Sequence, residues 1–168
     1  MPITMYQASA PVLTRVLTSL CNVLGKAAAH AEAKKINPSV LISARLYPDM
    51  LPFSSQIQIA TDHAKGCVAR LAGMDPPRYE DTETTFPDLV ARIKTTLSFI
   101  ATIKPAQIDG SEERPIRLKL GTHEINTQGQ PYLLNVVLPN VYFHVVTAYA
   151  ILRHNGVDIG KTDFLGKD

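Results

Sequence analysis

The sequence is poor in cysteine, and this scarcity limits the kinds of site it can build. Only Cys21 and Cys67 occur among 168 residues. They lie far apart, and neither belongs to a CxxC pair or to a Cys/His ligand spacing. Each lies in an apolar helical pattern, so we expect two buried free thiols rather than a disulfide.

The sequence also lacks a concentration of charge of one sign. Lys and Arg number 17 against 15 Asp and Glu, a formal net charge of +2, and the basic residues are interspersed with acidic ones. Binding to nucleic acid requires a concentrated basic footprint that neutralises phosphates. We therefore expect no nucleic-acid partner.

Familiar catalytic signatures are missing as well. Ser54 and Ser55 lack a nucleophile elbow, and the stretches GVDIG and GTHEINTQG lack the strand–glycine–helix context of a phosphate loop. His123 and Glu124 fall in a predicted hairpin rather than in a helical metalloprotease motif. Whether the protein is an enzyme is left open by these residues.

The length and the N-terminus indicate one domain in the cytoplasm. A chain of 168 residues can bury about 70% of its unfolded surface and needs no disulfide or metal to fold. We expect residues 1–168 to form a single domain. The first stretch, MPITMYQASAP, has no basic region followed by an apolar one, so the sequence predicts no secretory signal.

Residues 132–152 contain no formal charge and reach the length of a membrane-spanning helix. The run nevertheless includes Asn135, Pro139, Asn140 and His144, and the other predicted helices are ordinary amphipaths with apolar faces to cover. A central buried helix therefore explains the run better than a membrane span, and we expect no membrane partner.

Four segments show the three- and four-residue apolar spacing of amphipathic helices. The first spans about residues 5–35. The second begins near Phe53 and ends at Gly73, and the third starts at a Thr85 cap and runs to about Ile103. The fourth ends at about Asn155, while its start is ambiguous because a proline at 139 either opens or kinks it.

Between the third and fourth helices the apolar spacing changes to two. IRLKLG alternates apolar and basic side chains, and HEINTQGQP can return as a partner strand. We therefore predict a small β-hairpin here. Four long helices with one long crossover predict an all-α fold, a four-helix bundle decorated by this hairpin.

Three segments, residues 139–166, 45–62 and 69–73, resemble the DinB-like superfamily of four-helix bundles. Within it, the chain resembles an uncharacterised branch of bacterial and fungal proteins classed as a domain of unknown function, and the likeness covers essentially the whole chain. The superfamily holds a divalent metal, nickel or zinc, with three histidines: one on the second helix and two four residues apart on the fourth. Its characterised members include thiol transferases and hydrolases.

The resemblance implies an incomplete metal site. Aligning the helix ending LRxxG, residues 152–156, puts His144 at the second histidine of the fourth-helix pair and Asn140 at the first. The second-helix position falls near Gln56. His63 lies two turns further on and is expected to miss the site, which leaves His144 as the one candidate metal ligand. One imidazole with two amides is a poor zinc or nickel cage.

Residues four apart project from one face of a helix, so Asn140 and His144 can address one point inside the bundle. With Gln56 they form the candidate ligand-binding pocket. Alternatively, His144 is a structural histidine hydrogen-bonded to Asn140 or Gln56. Three tyrosines are further candidates for this pocket: Tyr6, Tyr142 and Tyr149.

Arg45 and Asp49 lie on the linker RLYPDM that leads into the second helix. They can hold an anionic substrate at the mouth of the pocket, or they can simply form an ion pair with each other.

These observations leave three functions open. The first is binding of a small molecule in the polar pocket, the second is a non-catalytic homodimeric interaction protein, and the third is a metal-dependent thiol transferase or hydrolase. We expect a homodimer because the first helix carries apolar residues beyond one stripe and because Phe164 and Leu165 would be covered in an interface. The apolar residues in question are Val12, Ala27, Ala28, Ala29 and Ala31. The tail with Phe164 and Leu165 is itself expected to dock back on the bundle, or to reach a second subunit.

Overall fold

The structure, a computed structural model, describes residues 2–166, except for the side chain of Leu120. Helix α1 (Met5–Lys34) begins at a reciprocal cap, in which the Thr4 hydroxyl accepts from the Gln7 backbone N–H and the Gln7 side chain accepts from the Thr4 N–H. It ends at Lys35, whose φ of 55° is left-handed. A short helix α2 (Pro38–Ile42) follows, capped by Asn37.

Helices α3 (Phe53–Leu71) and α4 (Phe86–Thr102) lie close to their predicted positions. Helix α4 starts at Thr85, which exchanges hydrogen bonds with Asp88 as the sequence indicates. A further short helix, α5 (Pro105–Ile108), precedes the hairpin. The predicted helix boundaries hold because capping residues and prolines fix them locally.

The predicted β-hairpin is present. Strands β1 (Pro115–Leu120) and β2 (His123–Gln128) pair antiparallel, with Ile116 opposite Thr127 and Leu118 opposite Ile125. The turn between them uses Gly121 at a φ of +57°, which glycine adopts without strain.

The last long helix is one continuous structure from 129 to 154, and it is not uniform. A short α-helical turn α6 (Gly129–Pro131) runs into a π-helical segment (Tyr132–Val137), which continues as α7 (Leu138–His154). Proline has no N–H and its ring crowds the carbonyl four residues earlier. The wider π turn just before Pro139 accommodates the ring without ending the helix, so Pro139 does not open the helix.

Helix α7 packs chiefly against α3, while α4 packs against both α1 and α3. Apolar side chains from these four helices fill one core, which confirms the all-α bundle with its hairpin. The most enclosed large side chains include Leu13, Leu24, Phe53, Ile57, Leu89, Ile93 and Tyr132.

The expectation that the fourth helix lies buried at the centre is wrong. In the described part of the chain, residues 129–154 form one helix that is long and apolar enough to cross a membrane, judged by length and composition alone. Only 33% of its most apolar 18-residue stretch is buried. The helix is an outer wall of the bundle. Leu134, Phe143 and Val146 are exposed because the outer side of this helix, where Arg153 also lies, meets no other described element.

The C-terminal tail docks on the bundle, as expected. Helix α8 (Lys161–Leu165) packs on α1, with the Phe164 ring edge-on to Tyr149 at 6.2 Å and Lys26 Nζ 2.8 Å from Asp163 Oδ1. Phe164 is therefore half-buried within its own chain, while Leu165 stays 48% exposed. Ala27 and Ala31 are also buried in the chain's own core, so these residues do not argue for a dimer.

The two cysteines are free thiols, as predicted. Cys67 is fully buried in α3, and burial raises the pKa of its thiol. Cys21 was expected to be buried but is only half-buried, because it lies at the edge of the apolar stripe of α1.

Candidate functional site

The site lies where α3 and α7 pack side by side in opposite directions. Near the start of α3, Gln56 meets His144 in the middle of α7, and near the end of α3, Arg70 meets Tyr132 at the start of the π-helical segment. The face of α3 that carries Gln56 and Arg70 therefore lines the α3/α7 seam.

Gln56 fixes the orientation of His144. The Gln56 side chain is 2% exposed, and its amide nitrogen donates to the Leu51 carbonyl oxygen at 3.0 Å. Its Oε1 must then face His144 Nδ1, 2.7 Å away. Since a carbonyl oxygen only accepts, Nδ1 carries the proton in the neutral ring and Nε2 carries the lone pair.

His63 also reaches this site, contrary to the expectation that it lies too far along the helix. Its ring is stacked on His144, with centroids 6.2 Å apart and planes 19° from parallel. Gln56 and His63 are seven residues apart, two turns that return to the same helix face, and the long His144 side chain lies between them. That seven-residue spacing is the signal that sequence reasoning overlooked.

The two imidazoles are neutral at pH 7. Burial, followed by the nearby His144, lowers the pKa of His63 to about 4. Burial alone lowers the pKa of His144. The Phe143 ring lies edge-on to His144 at 5.2 Å, which adds an apolar neighbour to the pair. The cluster therefore offers imidazole lone pairs rather than positive charge.

Asn140 is committed to its own helix. Its amide nitrogen donates to the Val136 carbonyl oxygen at 2.6 Å, within the π-helical segment. It lies one turn before His144, as the spacing predicts, but the structure does not bring its amide nitrogen to Gln56. Local capping of a carbonyl at the π turn explains this difference.

Arg45 and Asp49 lie exposed on the linker between α2 and α3. Arg45 donates to the carbonyl oxygen of Met50 and, among the described residues, forms no ion pair with Asp49. Of the tyrosines considered for the pocket, Tyr142 is exposed and the Tyr149 hydroxyl donates to the Ile159 carbonyl oxygen. The Tyr6 backbone N–H donates to the Asp109 carboxylate, and no hydrogen bond between the described residues joins Tyr6 to His144.

A metal centre of the DinB kind does not fit these residues. Residues 2–166 contain no group of three or more His, Cys, Asp or Glu side chains that could hold a metal ion. His63 and His144 supply two imidazoles, while the Gln56 oxygen already accepts from His144. Zinc and nickel sites need three or four donors, so two imidazoles are too few to form one.

A second polar cluster, on the other side of α3, was not anticipated from the sequence. Arg92 is 4% exposed and pairs with the carboxylates of Asp62, Asp81 and Glu83, which lie 2.8, 2.9 and 3.0 Å away. The Tyr79 ring lies 5.5 Å from its guanidinium carbon. The sequence signal for this cluster was the concentration of acidic residues in the stretch RYEDTETTF, which precedes a helix with a single arginine. The cluster holds the loop between α3 and α4 against both helices.

Several surface concavities lie away from His144. One of about 890 Å³ covers a face of the hairpin between Pro115 and Gln128. Another of about 480 Å³ lies beside Arg92 and Tyr79, and a third of about 280 Å³ lies between the end of α3 and β1. The His144 cluster is thus a polar seam between two helices, not part of these cavities.

Comparison with known proteins agrees with the fold. A family described as a domain of unknown function, DUF1993, matches residues 5–165. A crystal structure of a DinB family member from Shewanella denitrificans is 35% identical, with a TM-score of 0.88 over 97% of this chain and 92% of that one. No curated protein matches the sequence. The match over nearly the whole length places the chain in the DUF1993 family, a DinB-like domain of unknown function.

Proposed function

We propose that this protein binds a small molecule in the cytoplasm at the α3/α7 seam, with His144 Nε2 as the hydrogen-bond or proton acceptor. The observation that supports it most is the contact of His144 Nδ1 with the Oε1 of Gln56, which Leu51 holds in place, since this contact leaves the imidazole lone pair on Nε2. A neutral, oriented imidazole is a suitable base or acceptor near pH 7.

The neighbours of His144 limit the class of ligand. His63 and Phe143 are flat, uncharged rings beside it, and Gln56 donates to protein rather than outward. These groups favour a neutral ligand with an apolar part and one donor, such as a thiol or a hydroxyl, over a charged one.

A thermal-shift screen of small thiols and alcohols tests the proposal, followed by calorimetry of any compound that raises the melting temperature. The His144→Gln variant should lose the response. The same substitution at His154, an exposed histidine at the end of α7, should keep it. If the His144→Gln variant binds as tightly as the native protein, the proposed role is excluded.

Metal analysis of untagged protein belongs to the same test. We expect no stoichiometric nickel or zinc, because only two imidazoles converge at the seam. About one tightly held ion per chain, lost in the His144→Gln variant, would instead support the metal-dependent transferase or hydrolase activity of the DinB-like proteins.

A second candidate function is a non-catalytic homodimeric interaction protein. The exposed side chains of α7 support it: Phe143 is 57% exposed and Val146 is 47% exposed on a helix face whose charged residue, Arg153, lies in the last turn. In this alternative, the Gln56–His144 contact only satisfies buried polar groups, and a second copy of the chain covers the apolar face.

A further inference from the structure

Three arginines from different parts of the chain line one small concavity of about 280 Å³. Arg70 comes from the last turn of α3, Arg114 from the segment before β1, and Arg117 from β1 itself. Asp75 lies on the same wall. The concavity is separated along α3 from the His144 cluster and belongs to no function proposed above.

Neutral groups hold two of the three guanidinium groups in place. Arg114 donates to the carbonyl oxygens of Leu71 and Gln107. Arg70 donates to the Tyr132 hydroxyl at 2.9 Å, and its guanidinium carbon lies 5.9 Å from the centre of the Tyr132 ring. These contacts orient the arginines while leaving their positive charge uncompensated.

Two glycines make room for this arrangement. A Cβ atom at Gly66 would lie 2.4 Å from a guanidinium nitrogen of Arg70, and one at Gly73 would lie 3.3 Å from a guanidinium nitrogen of Arg114. Gly73 also has a φ of +72°, which side chains rarely adopt. The backbone thus lets both arginines lie close against the end of α3.

The charge balance of this concavity is positive. Among the residues the structure describes, Arg70, Arg114 and Arg117 form no ion pair with a carboxylate, and the Asp75 carboxylate opposes three guanidinium groups. Buried Arg92, in contrast, is matched by three carboxylates. Held arginines without carboxylate partners favour an external anion.

We propose that this concavity binds the phosphate group of a small molecule. Guanidinium groups donate in forks that match phosphate oxygens, and here they approach from a helix, a loop and a strand. Such a spread suits a tetrahedral dianion with several oxygens better than a planar carboxylate. The volume is at the lower end for a small-molecule site, so a phosphate with a short organic part fits it.

Isothermal titration calorimetry with inorganic phosphate at low ionic strength tests this site. We expect saturable binding of phosphate, with weaker binding of succinate and none of chloride at matched ionic strength. The Arg117→Gln variant should weaken phosphate binding about tenfold, the effect of losing one charge-assisted contact. Arg117 is exposed on β1, so this change leaves the core intact.

Lys119→Gln is the matched control, because Lys119 lies two residues further on the same strand and does not line the concavity. It should change phosphate affinity less than about twofold. Arg70→Gln, checked for folding by circular dichroism, should weaken binding as Arg117→Gln does. The His144→Gln variant should bind phosphate normally, so this site and the seam can fail independently.

Three results would overturn the proposal. One is heat from phosphate no greater than from chloride at equal ionic strength. The second is equal loss of affinity in Arg117→Gln and Lys119→Gln, which indicates diffuse surface charge. The third is binding of succinate as tight as that of phosphate, which would assign the concavity to carboxylates.

Discussion

At the scale of single residues, the contact between Gln56 and His144 determines which ring nitrogen is available to a ligand. Gln56 was identified through the resemblance to the DinB-like bundles, and its Oε1 lies 2.7 Å from His144 Nδ1. The role of His63 could not be predicted in this way. The seven-residue spacing puts His63 on the same face of α3 as Gln56, but the contact with His144 depends on how α3 and α7 pack against each other.

The tautomer of His144 is directly measurable. Long-range ¹H–¹⁵N correlation spectra at pH 7.5 should show a protonated Nδ1 and an unprotonated Nε2, because Gln56 Oε1 can only accept. In the Gln56→Leu variant this preference should disappear, while the pattern of His154 stays unchanged. A protonated Nε2 in the native protein would contradict the assigned orientation of Gln56.

Stability should fall as the pH is lowered from about 6.5 to 4. The pKa of His63 is about 4 in the folded protein against 6.5 for a free histidine, so in this range the unfolded chain binds a proton that the folded one does not. The stabilising contribution is complete above pH 6.5 and reaches at most about 3 kcal/mol. His144 acts in the same direction.

Urea unfolding at several pH values checks this dependence. His63→Phe keeps a flat ring against His144 but cannot titrate, so its stability should vary less between pH 6.5 and 4. His154→Phe, at an exposed position, should retain the native slope. An unchanged slope in His63→Phe would show that another group is responsible.

Two helical glycines should respond differently to substitution by alanine. Gly25 is exposed in α1 and has nothing within 4 Å of an added Cβ, so Gly25→Ala should stabilise the protein by about 0.5–1 kcal/mol. Gly66→Ala should give no such gain, because its Cβ displaces Arg70 from Tyr132. Thermal unfolding of both variants decides the matter, and equal stabilisation would refute the packing described for Arg70.

At the scale of elements, the long loop between α3 and α4 depends on one arginine. Arg92 connects the carboxylates of Asp81 and Glu83 in that loop to Asp62 on α3. Helix boundaries could be predicted from Thr85 and Gly73, because caps and breakers act over a few residues. The loop conformation could not, since it rests on ion pairs between residues 9 to 30 positions apart in the sequence.

Arg92→Met should destabilise the fold by about 1–3 kcal/mol, because the Glu83 carboxylate, the most buried of the three, would then keep only its hydrogen bond from Gln58. Lys94→Met, at an exposed position on the same helix, should change stability by less than about 0.5 kcal/mol. Urea denaturation measures both. Limited proteolysis should also cut the Arg92→Met protein first within residues 74–85, and a cut elsewhere would argue against the loop anchor.

At the scale of the whole molecule, the bundle and its hairpin could be predicted from apolar spacing alone. The spacing of apolar residues showed which segments are helices, but not which helix would be left partly uncovered. Helix α7 is the most apolar segment, yet Phe143 and Val146 remain exposed because α3 covers only its inner face.

We expect sedimentation equilibrium at micromolar concentration to give a mass of twice 18.4 kDa. The exposed face of α7, rather than α1, is the surface that supports a dimer. Val146→Lys should then shift the mass toward the monomer, because it puts a charge in an apolar interface. Val40→Lys is the control, since Val40 is similarly exposed, at 55%, on α2. A native mass near 18.4 kDa would exclude the dimer.

The π-helical segment has a consequence for sequence comparison. A π turn contains one residue more than the α-helical turn it replaces, so the residues before it are rotated by about 100° relative to α7. A relative without this turn aligns correctly only with a single-residue gap between 132 and 138. Deleting one residue there, such as exposed Asn135, would remove the space that the π turn gives the Pro139 ring and would rotate Tyr132 and Leu133 out of the core.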